Sequence, residues 1–142
     1  DYGVPVTASL LCQNAALKAV GAKNVLMMRS VSGKNVQHIE EVERLGCTVL
    51  EVLPLGQSVH SSGSLTADET LERAREFIKR NPGADTLHCA SPHWPMVANI
   101  DTLEREFGIT VVTAGQAITW HALRRCGIQD SIQGYGRLLR DL

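Results

Sequence analysis

The sequence carries no charge excess, no long apolar run and no closely spaced pair of cysteines. Its 142 residues have a formal net charge of −1 without a basic cluster, which argues against a nucleic-acid or anionic-membrane surface. No apolar run approaches the ~18–20 residues that a membrane span needs, and no secretory leader is visible. We therefore predict that neither nucleic acid nor a membrane is a partner of this protein.

The four cysteines stand far apart, at Cys12, Cys47, Cys89 and Cys126, so no pair has CxxC spacing. A chain that is not disulfide-dense indicates free thiols in a reducing compartment, and on that basis we predict a cytoplasmic location. Cys12, Cys47 and Cys126 lie among apolar residues and are predicted to be small core residues. Cys89 is the cysteine whose surroundings need a chemical interpretation.

Signatures of nucleotide binding and of serine hydrolases are absent as well, since there is no GxGxxG, P-loop or GxSxG sequence. What the chain does contain is a regular alternation of strand and helix patterns. Strands are predicted over 4–9, 24–31, 47–55, 84–90 and 109–114. Helical spacing of apolar residues predicts the helices between them, one with a Thr66–Glu69 capping box and one beginning near Pro95. The pattern predicts an α/β fold, a Rossmann-like parallel sheet with helices on both faces.

The stretch LHCASPHWP, residues 87–95, follows the fourth predicted strand. Ligands bind outside the carboxyl ends of parallel strands, so this loop and loop 30–35 are the candidate ligand-binding loops. A thiolate at Cys89 would act as a nucleophile or a proton-transfer group, with its pKa lowered by a helix N-terminus near Pro95 or by a protonated His93. The alternative is a buried structural thiol, which is the commoner role of a free cysteine.

A metal site at His88, Cys89 and His93 is a third interpretation of this stretch. The ligand types suit zinc, but a closed site usually needs a fourth protein ligand, and no second cluster with finger-like spacing exists. Neighbouring residues of a strand point to opposite faces, which separates His88 from Cys89 and leaves His93 as its better neighbour. We therefore predict no metal, and a packing role for Trp94. The remaining histidines are predicted to be structural: His38, His60 and His121.

An internal repeat relates residues 6–22 to residues 112–128. At a constant offset of 106, six pairs are identical: Val6/Val112, Thr7/Thr113, Ala8/Ala114, Ala16/Ala122, Leu17/Leu123 and Gly21/Gly127. Shared strand–helix patterning accounts for part of this, and the remainder indicates a parent with two similar α/β halves. We expect this chain to be the C-terminal part of that parent, with the counterpart of Cys89 preceding Asp1.

The repeat sets the predicted domain boundaries. Residues 1–21 form a strand–helix segment that completes the N-terminal lobe, residues 22–128 form the Rossmann-like C-terminal lobe, and residues 129–142 form a tail that docks on the body. The predicted fold is thus the C-terminal lobe of a two-lobed, pseudo-symmetric fold. The missing N-terminal lobe or a second copy is an expected partner, and exposed lobe-facing apolar surface makes a homo-oligomer an option.

These features resemble the C-terminal part of the Asp/Glu racemase superfamily, on the branch of maleate cis-trans isomerases and arylmalonate decarboxylases. The matching stretches are VPVTAS at 4–9, GADTLHCAS around Cys89, IDTLEREFGITVVTAGQAITWHALRRCGI after it, and the final GYGRLL. The resemblance implies two Rossmann-like lobes, chemistry on small carboxylates without cofactor or metal, and an active site between the lobes. Each lobe typically supplies one cysteine, and Cys89 falls on the second.

The resemblance also implies roles for individual loop residues. Ala90 and Ser91 fall on the backbone segment that helps to hold the substrate carboxylate. The predicted substrate-binding set also includes His93, Ser32 and Gly33 from the two strand-end loops. The family's usual Ser-Cys-Thr sequence, or its Gly-rich variant, and its substrate-binding tyrosine are both absent, and Ser32 stands at about the position of that tyrosine. The usual substrate contacts are therefore changed in this chain.

We predict a cofactor-independent, cysteine-based isomerase, racemase or decarboxylase acting on a small carboxylate or dicarboxylate, with Cys89 as the catalytic residue. Because the opposing half of the site is expected to precede Asp1, the chain alone is predicted to be inactive. The competing hypothesis is a non-catalytic small-molecule-binding α/β domain, or an inactive homologue serving as an assembly subunit. The absent tyrosine and the altered cysteine loop favour that second hypothesis.

Overall fold

The computed structural model describes residues 6–29, 36–55 and 64–142. Its helices are α1 (Ser9–Ala19), α2 (Val36–Arg44), α3 (Ala67–Lys79), α4 (Ile100–Phe107), α5 (Ala114–Arg125) and α6 (Arg137–Asp141). Its strands are β1 (Asn24–Arg29), β2 (Thr48–Pro54), β3 (Thr86–Cys89) and β4 (Thr110–Thr113). No helix within the described ranges is long and apolar enough to cross a lipid bilayer.

The four strands form one parallel sheet in the order β2-β1-β3-β4, which confirms the predicted parallel α/β fold. The prediction of a further strand over 4–9 is wrong for its described part. Residues 6–8 have no regular structure and α1 begins at Ser9, while residues 4 and 5 lie outside the described ranges. Exposure explains the difference: Val6 is 86% exposed, whereas its repeat counterpart Val112 is buried in β4 beside β3.

The sheet has a separate apolar core on each face, because successive strand residues point to opposite sides. We call the two sides the α3/α4 face and the α1/α5 face, after the helices that cover them. The strand residues buried on the α3/α4 face are Leu26, Met28, Leu87, Cys89 and Val111. Those buried on the α1/α5 face, where α2 and α6 also pack, are Val25, Met27 and Val112. Helices on both faces are thus confirmed.

The capping box predicted at α3 is present. The Thr66 hydroxyl accepts a hydrogen bond from the Glu69 backbone N–H at 3.2 Å, and the Glu69 carboxylate accepts one from the Thr66 backbone N–H at 2.7 Å. Thr113 and Gln116 form the same reciprocal pair at the start of α5. These bonds satisfy backbone donors that have no partner within a helix, and so they fix where each helix begins.

The helix expected from Pro95 begins later than predicted. A 3-10 turn over Val97–Asn99 comes first, and α4 starts at Ile100. The buried Asn99 side chain donates a hydrogen bond to the backbone carbonyl of Ala67 at 2.8 Å, which ties this turn to the start of α3. The contact is between distant parts of the chain, so local helical spacing gives no sign of it.

Two of the three cysteines predicted to be core residues are buried. Cys12 lies between α1 and α5 with its sulfur 3.4 Å from Nδ1 of His121, and Cys47 joins the core of the α1/α5 face. Cys126 is exposed, which contradicts the prediction. It is the residue that ends α5, beyond the buried stripe of that helix. All four thiols are free.

The helices α1 and α5, which the sequence repeat equates, end in the same way and pack against each other. After α1, the Ala22 N–H bonds to the Leu17 carbonyl, and after α5 the Ile128 N–H bonds to the Leu123 carbonyl. In both turns the glycine, Gly21 or Gly127, takes the left-handed conformation that this cap requires. The repeat therefore extends from residue identities to hydrogen bonding.

The C-terminal segment is fixed by two carboxylates of α4. Glu104 accepts hydrogen bonds from the Val111 N–H at 3.0 Å and from the Arg137 N–H at 2.8 Å, and Asp101 accepts one from the Gly136 N–H at 2.7 Å. This anchoring directs α6 onto the α1/α5 face. Its residues buried there are Leu138 and Leu139.

Gly136 is the position where this anchoring tolerates substitution least. Its φ of +81° is left-handed, and an added Cβ would collide with the Ile100 side chain and stand 3.0 Å from Oε1 of Glu104. We expect Gly136→Ala to lower the free energy of unfolding by about 2–4 kcal/mol, from left-handed strain plus overpacking. Gly134→Ala is the matched control, because its φ is +88° but nothing lies within 4 Å of its added Cβ. Equal losses for the two variants in denaturant unfolding would contradict this account.

Candidate active site

The central strands β1 and β3 meet at the point where the sheet reverses its strand order. The chain leaves β1 through α2 toward β2 at one edge, and leaves β3 through α4 toward β4 at the other. These two helices cover opposite faces, so the carboxyl ends of β1 and β3 flank the topological switch point of the sheet. Such a switch point is where ligands bind in open α/β sheets. Cys89 is the last residue of β3 and pairs in register with Met28 of β1.

Cys89 lies on the α3/α4 face with no exposed surface, in the same core cluster as Trp94 and Met96. Burial raises the pKa of its thiol well above the ordinary value, and a hydrogen bond from the Ser91 backbone N–H opposes this only in part. Cys89 is therefore a protonated thiol at neutral pH. The expectation of a thiol acidified by a helix start near Pro95 is not met, since α4 begins at Ile100. Trp94 is buried, as its predicted packing role requires.

His88 points to the α1/α5 face, away from Cys89, as the strand alternation predicts. Its ring is fully buried, with Nδ1 3.2 Å from the carbonyl oxygen of Val112 and Nε2 without a hydrogen-bond partner. The ring meets that of His38 edge-on, with 5.6 Å between centroids. Burial first, and then His38, lower the pKa of His88 to about 3, so the ring is neutral at pH 7.

His38 is the residue near the switch point that the sequence interpretation missed. It lies in α2, half-buried, and its Nε2 is buried without a partner. Burial, and then the positive charge of Arg29, lower its pKa to about 4. The available signal was its spacing from Val42 and Leu45, four and seven residues on, which places His38 on the inward side of the helix.

The predicted substrate-binding residues have different surroundings. Ser91 is buried, Ala90 is half-buried with its N–H bonded to the Met28 carbonyl at 2.9 Å, and His93 is exposed. Ser32 and Gly33 lie outside the described residues, as does His60. Within the described ranges no three His, Cys, Asp or Glu side chains converge as metal ligands. The side chains of His88 and Cys89 point to opposite faces of the sheet, so the metal site considered from the sequence does not form.

Comparison with known proteins gives consistent matches over nearly the whole chain. A family model described as arylmalonate decarboxylase matches residues 2–139. Maleate isomerase from Nocardia farcinica is 28% identical over 129 residues, covering 87% of this chain and 50% of that protein. The chain thus spans about half the length of the curated relative that it matches.

Solved structures agree with these sequence matches. A crystal structure of arylmalonate decarboxylase superposes with a TM-score of 0.84 at 21% identity, covering 96% of this chain and 61% of that one. A variant of maleate cis-trans isomerase from Nocardia farcinica, with a covalently bound succinylcysteine intermediate, has a TM-score of 0.77 at 25% identity. That match covers 94% of this chain and 55% of the isomerase. The fold is therefore the arylmalonate decarboxylase fold, matching one lobe of it.

Burial of His88 makes the stability of the lobe dependent on pH. Its pKa falls from an ordinary 6.5 to about 3 on folding, so between these values the unfolded chain binds a proton that the folded chain excludes. This exclusion has no effect well above pH 6.5, and on acidification it lowers the free energy of unfolding, by about 1.4 kcal/mol at roughly pH 5.5. We expect His88→Leu to reduce the dependence of the unfolding free energy on pH between these values. A smaller dependence should remain, because burial also lowers the pKa of His38.

The matched control for this measurement is His93→Gln, because His93 is exposed in the loop. Its pH dependence in urea unfolding should follow that of the unsubstituted chain. A slope that is the same in His88→Leu as in the control would show that His88 does not exclude a proton on folding.

Proposed function

The chain belongs to the arylmalonate decarboxylase family, and we propose that it forms one half of a cofactor-independent active site for a small carboxylate, with Cys89 as its proton-donating residue. The observation that carries this proposal is the position of Cys89, at the end of β3 on the switch point between the central strands. The Ser91 N–H beside the sulfur adds a donor that would stabilise negative charge there.

The raised pKa of Cys89 favours the role of proton donor. In a decarboxylation, the electrons of the breaking carbon–carbon bond pass into the remaining carboxylate as carbon dioxide leaves, giving an enediolate. The thiol proton of Cys89 then forms the new carbon–hydrogen bond, and the thiolate left behind regains a proton from water. A thiol whose burial keeps it protonated at neutral pH is populated in the form that this step requires.

Isomerisation and racemisation each include a step that requires a deprotonated cysteine. Addition of a thiolate to the maleate double bond, followed by rotation and elimination, begins from the deprotonated sulfur. Racemisation uses one cysteine to remove a proton and a second to return it on the opposite face. The burial of Cys89 opposes its deprotonation, so in either reaction we assign the nucleophilic or basic step to the opposing residue. The succinylcysteine of the Nocardia farcinica isomerase supports cysteine addition in that relative.

The other half of the site is proposed to come from a preceding lobe or from a second copy, so the chain alone is inactive. Ala90 and Ser91 would present backbone donors to the substrate carboxylate, and Ser32, Gly33 and His93 remain proposed contacts from the two loops. The sequence repeat and the coverage of only half of the curated relative support this arrangement. The free thiols support a cytoplasmic location, and a homo-oligomer is the form that a second copy would take.

A non-catalytic small-molecule-binding domain is the second candidate, and the complete burial of Cys89 is the observation in its favour. The discriminating measurement is the alkylation rate of each thiol as a function of pH. A Cys89 that stays unreactive until the protein unfolds, in a protein that binds carboxylates without turnover, supports the binding domain. Exposed Cys126 is the internal reference, since it reacts in either case.

Replacement of the thiol tests the catalytic proposal directly. In a protein that joins this chain to a preceding lobe, Cys89→Ala should lower the turnover of arylmalonate or maleate by about 10²–10⁴-fold, because a positioned proton-transfer group is removed. Cys47→Ala is the matched control, as Cys47 is also a buried thiol but lies on the α1/α5 face. Both variants are compared at equal folded fraction. Retention of full turnover by Cys89→Ala on every active substrate would exclude the catalytic role.

A further inference from the structure

An open cleft of about 480 Å³ lies on the α1/α5 face, apart from the thiol of Cys89. It is lined by α2 from Gln37 to Arg44, by Leu10 of α1 and by Arg29, the last residue of β1. Arg29 continues the alternation of Val25 and Met27, which places its side chain on this face, whereas Cys89 points to the other. We call this space the Arg29 cleft.

The charged side chains that line the Arg29 cleft form ion pairs with one another, with the exception of Arg29. Arg44 forms ion pairs with both glutamates that line the cleft, with Glu40 at 3.3 Å and also with Glu41. No carboxylate of the described residues pairs with Arg29, and its Nε and Nη1 are buried without hydrogen-bond partners. The positive charge of Arg29 affects the pKa of His38 more than the negative charge of Glu41 does.

Unpartnered nitrogens of this kind are rare inside proteins. Most buried polar atoms have a hydrogen-bond partner, and a buried charge without one is strongly unfavourable. Burial lowers the pKa of Arg29, which reports the same unfavourable environment for its charge. Nε2 of His38 is a third buried nitrogen without a partner in this cleft. Both side chains line the Arg29 cleft, so an anion bound beside them would supply the electrostatic stabilisation that these buried nitrogens lack.

We propose that Arg29 and His38 bind the carboxylate of a small organic acid in this cleft. A guanidinium matches the geometry of a carboxylate, and the neutral imidazole adds a hydrogen bond to it. Glu40 and Glu41 line the same cleft, so a carboxylate group, which carries one charge, fits better beside them than a phosphate group, which carries two. The site goes beyond the function proposed for Cys89, because it lies on the opposite sheet face and its test reads binding instead of turnover.

Nuclear magnetic resonance titrations of the chain with acetate, malonate and inorganic phosphate test this site. The expected result is that both carboxylates shift the Arg29 Nε–H and His38 ring signals. Binding should also raise the pKa of His38, which faces Arg29 of β1, His88 of β3 and Glu41 of α2. Phosphate binding more tightly than either carboxylate would overturn the assignment of the ligand. Carboxylate binding that leaves both signals unmoved would overturn the site.

Two arginines in one cleft provide a matched pair of variants. We expect Arg29→Gln to weaken malonate binding about tenfold or more, since charge-assisted hydrogen bonds are lost. Arg44→Gln should change it less than about threefold, because that guanidinium is already occupied by Glu40 and Glu41. Equal effects of the two variants would overturn the proposal.

Thermal unfolding separates a binding role of Arg29 from a structural one. Removing a buried charge without a partner should leave the melting temperature of Arg29→Gln unchanged or raised in the absence of carboxylate. A lowered melting temperature would instead show that Arg29 stabilises the fold, and would overturn the proposal. Cys89→Ala should leave malonate binding at this site unchanged, so failure of this site and failure of the catalytic proposal are read from different variants.

Discussion

The hydrogen-bonded register of β1 with β3 determines where each functional group of this lobe lies. Met27 pairs with His88 and Met28 with Cys89, so the thiol and the imidazole face opposite cores one residue apart. A slip of one residue would exchange them and place the imidazole in the apolar cluster around Trp94. The same register puts Arg29 just beyond the pair that contains Cys89, at the point where the sheet reverses its strand order. The position of Cys89 at the switch point and the position of Arg29 in its cleft both follow from this pairing.

Burial acts in opposite directions on the thiol and the imidazoles near the switch point, and it leaves Cys89, His88 and His38 neutral. It raises the pKa of the Cys89 thiol and lowers those of His88 and His38, because the charged form of each is the one that loses its hydration. The guanidinium of Arg29 is the charge that remains. A neutral thiol on one face and an unpaired cation on the other suit proton donation and anion binding respectively.

The sequence predicted those features that depend on neighbours along the chain. The Thr66–Glu69 cap, the alternation that separates His88 from Cys89, and the repeat that equates α1 with α5 are all local patterns. Contacts between distant segments were not visible in it. Asn99, in the turn before α4, bonds to the start of α3, and His38 contacts a histidine fifty residues later in the chain. The prediction of a strand over 4–9 was wrong in its described part for the same reason, since a strand forms only where a partner strand pairs with it.

The sequence repeat and the packing of α1 assign this helix to different parts of the architecture. By its sequence α1 corresponds to α5, the helix that follows the last strand of the lobe, and we propose on that basis that it ends a preceding repeat. By its packing it belongs here, because Ala16 and Leu17 lie in the core of the α1/α5 face with Ala117 and Trp120. A helix that ends one repeat and packs on the next would hold the two at a fixed angle. Proposed chemistry between two lobes requires that rigidity, since reacting groups lose rate when misplaced by about 1 Å.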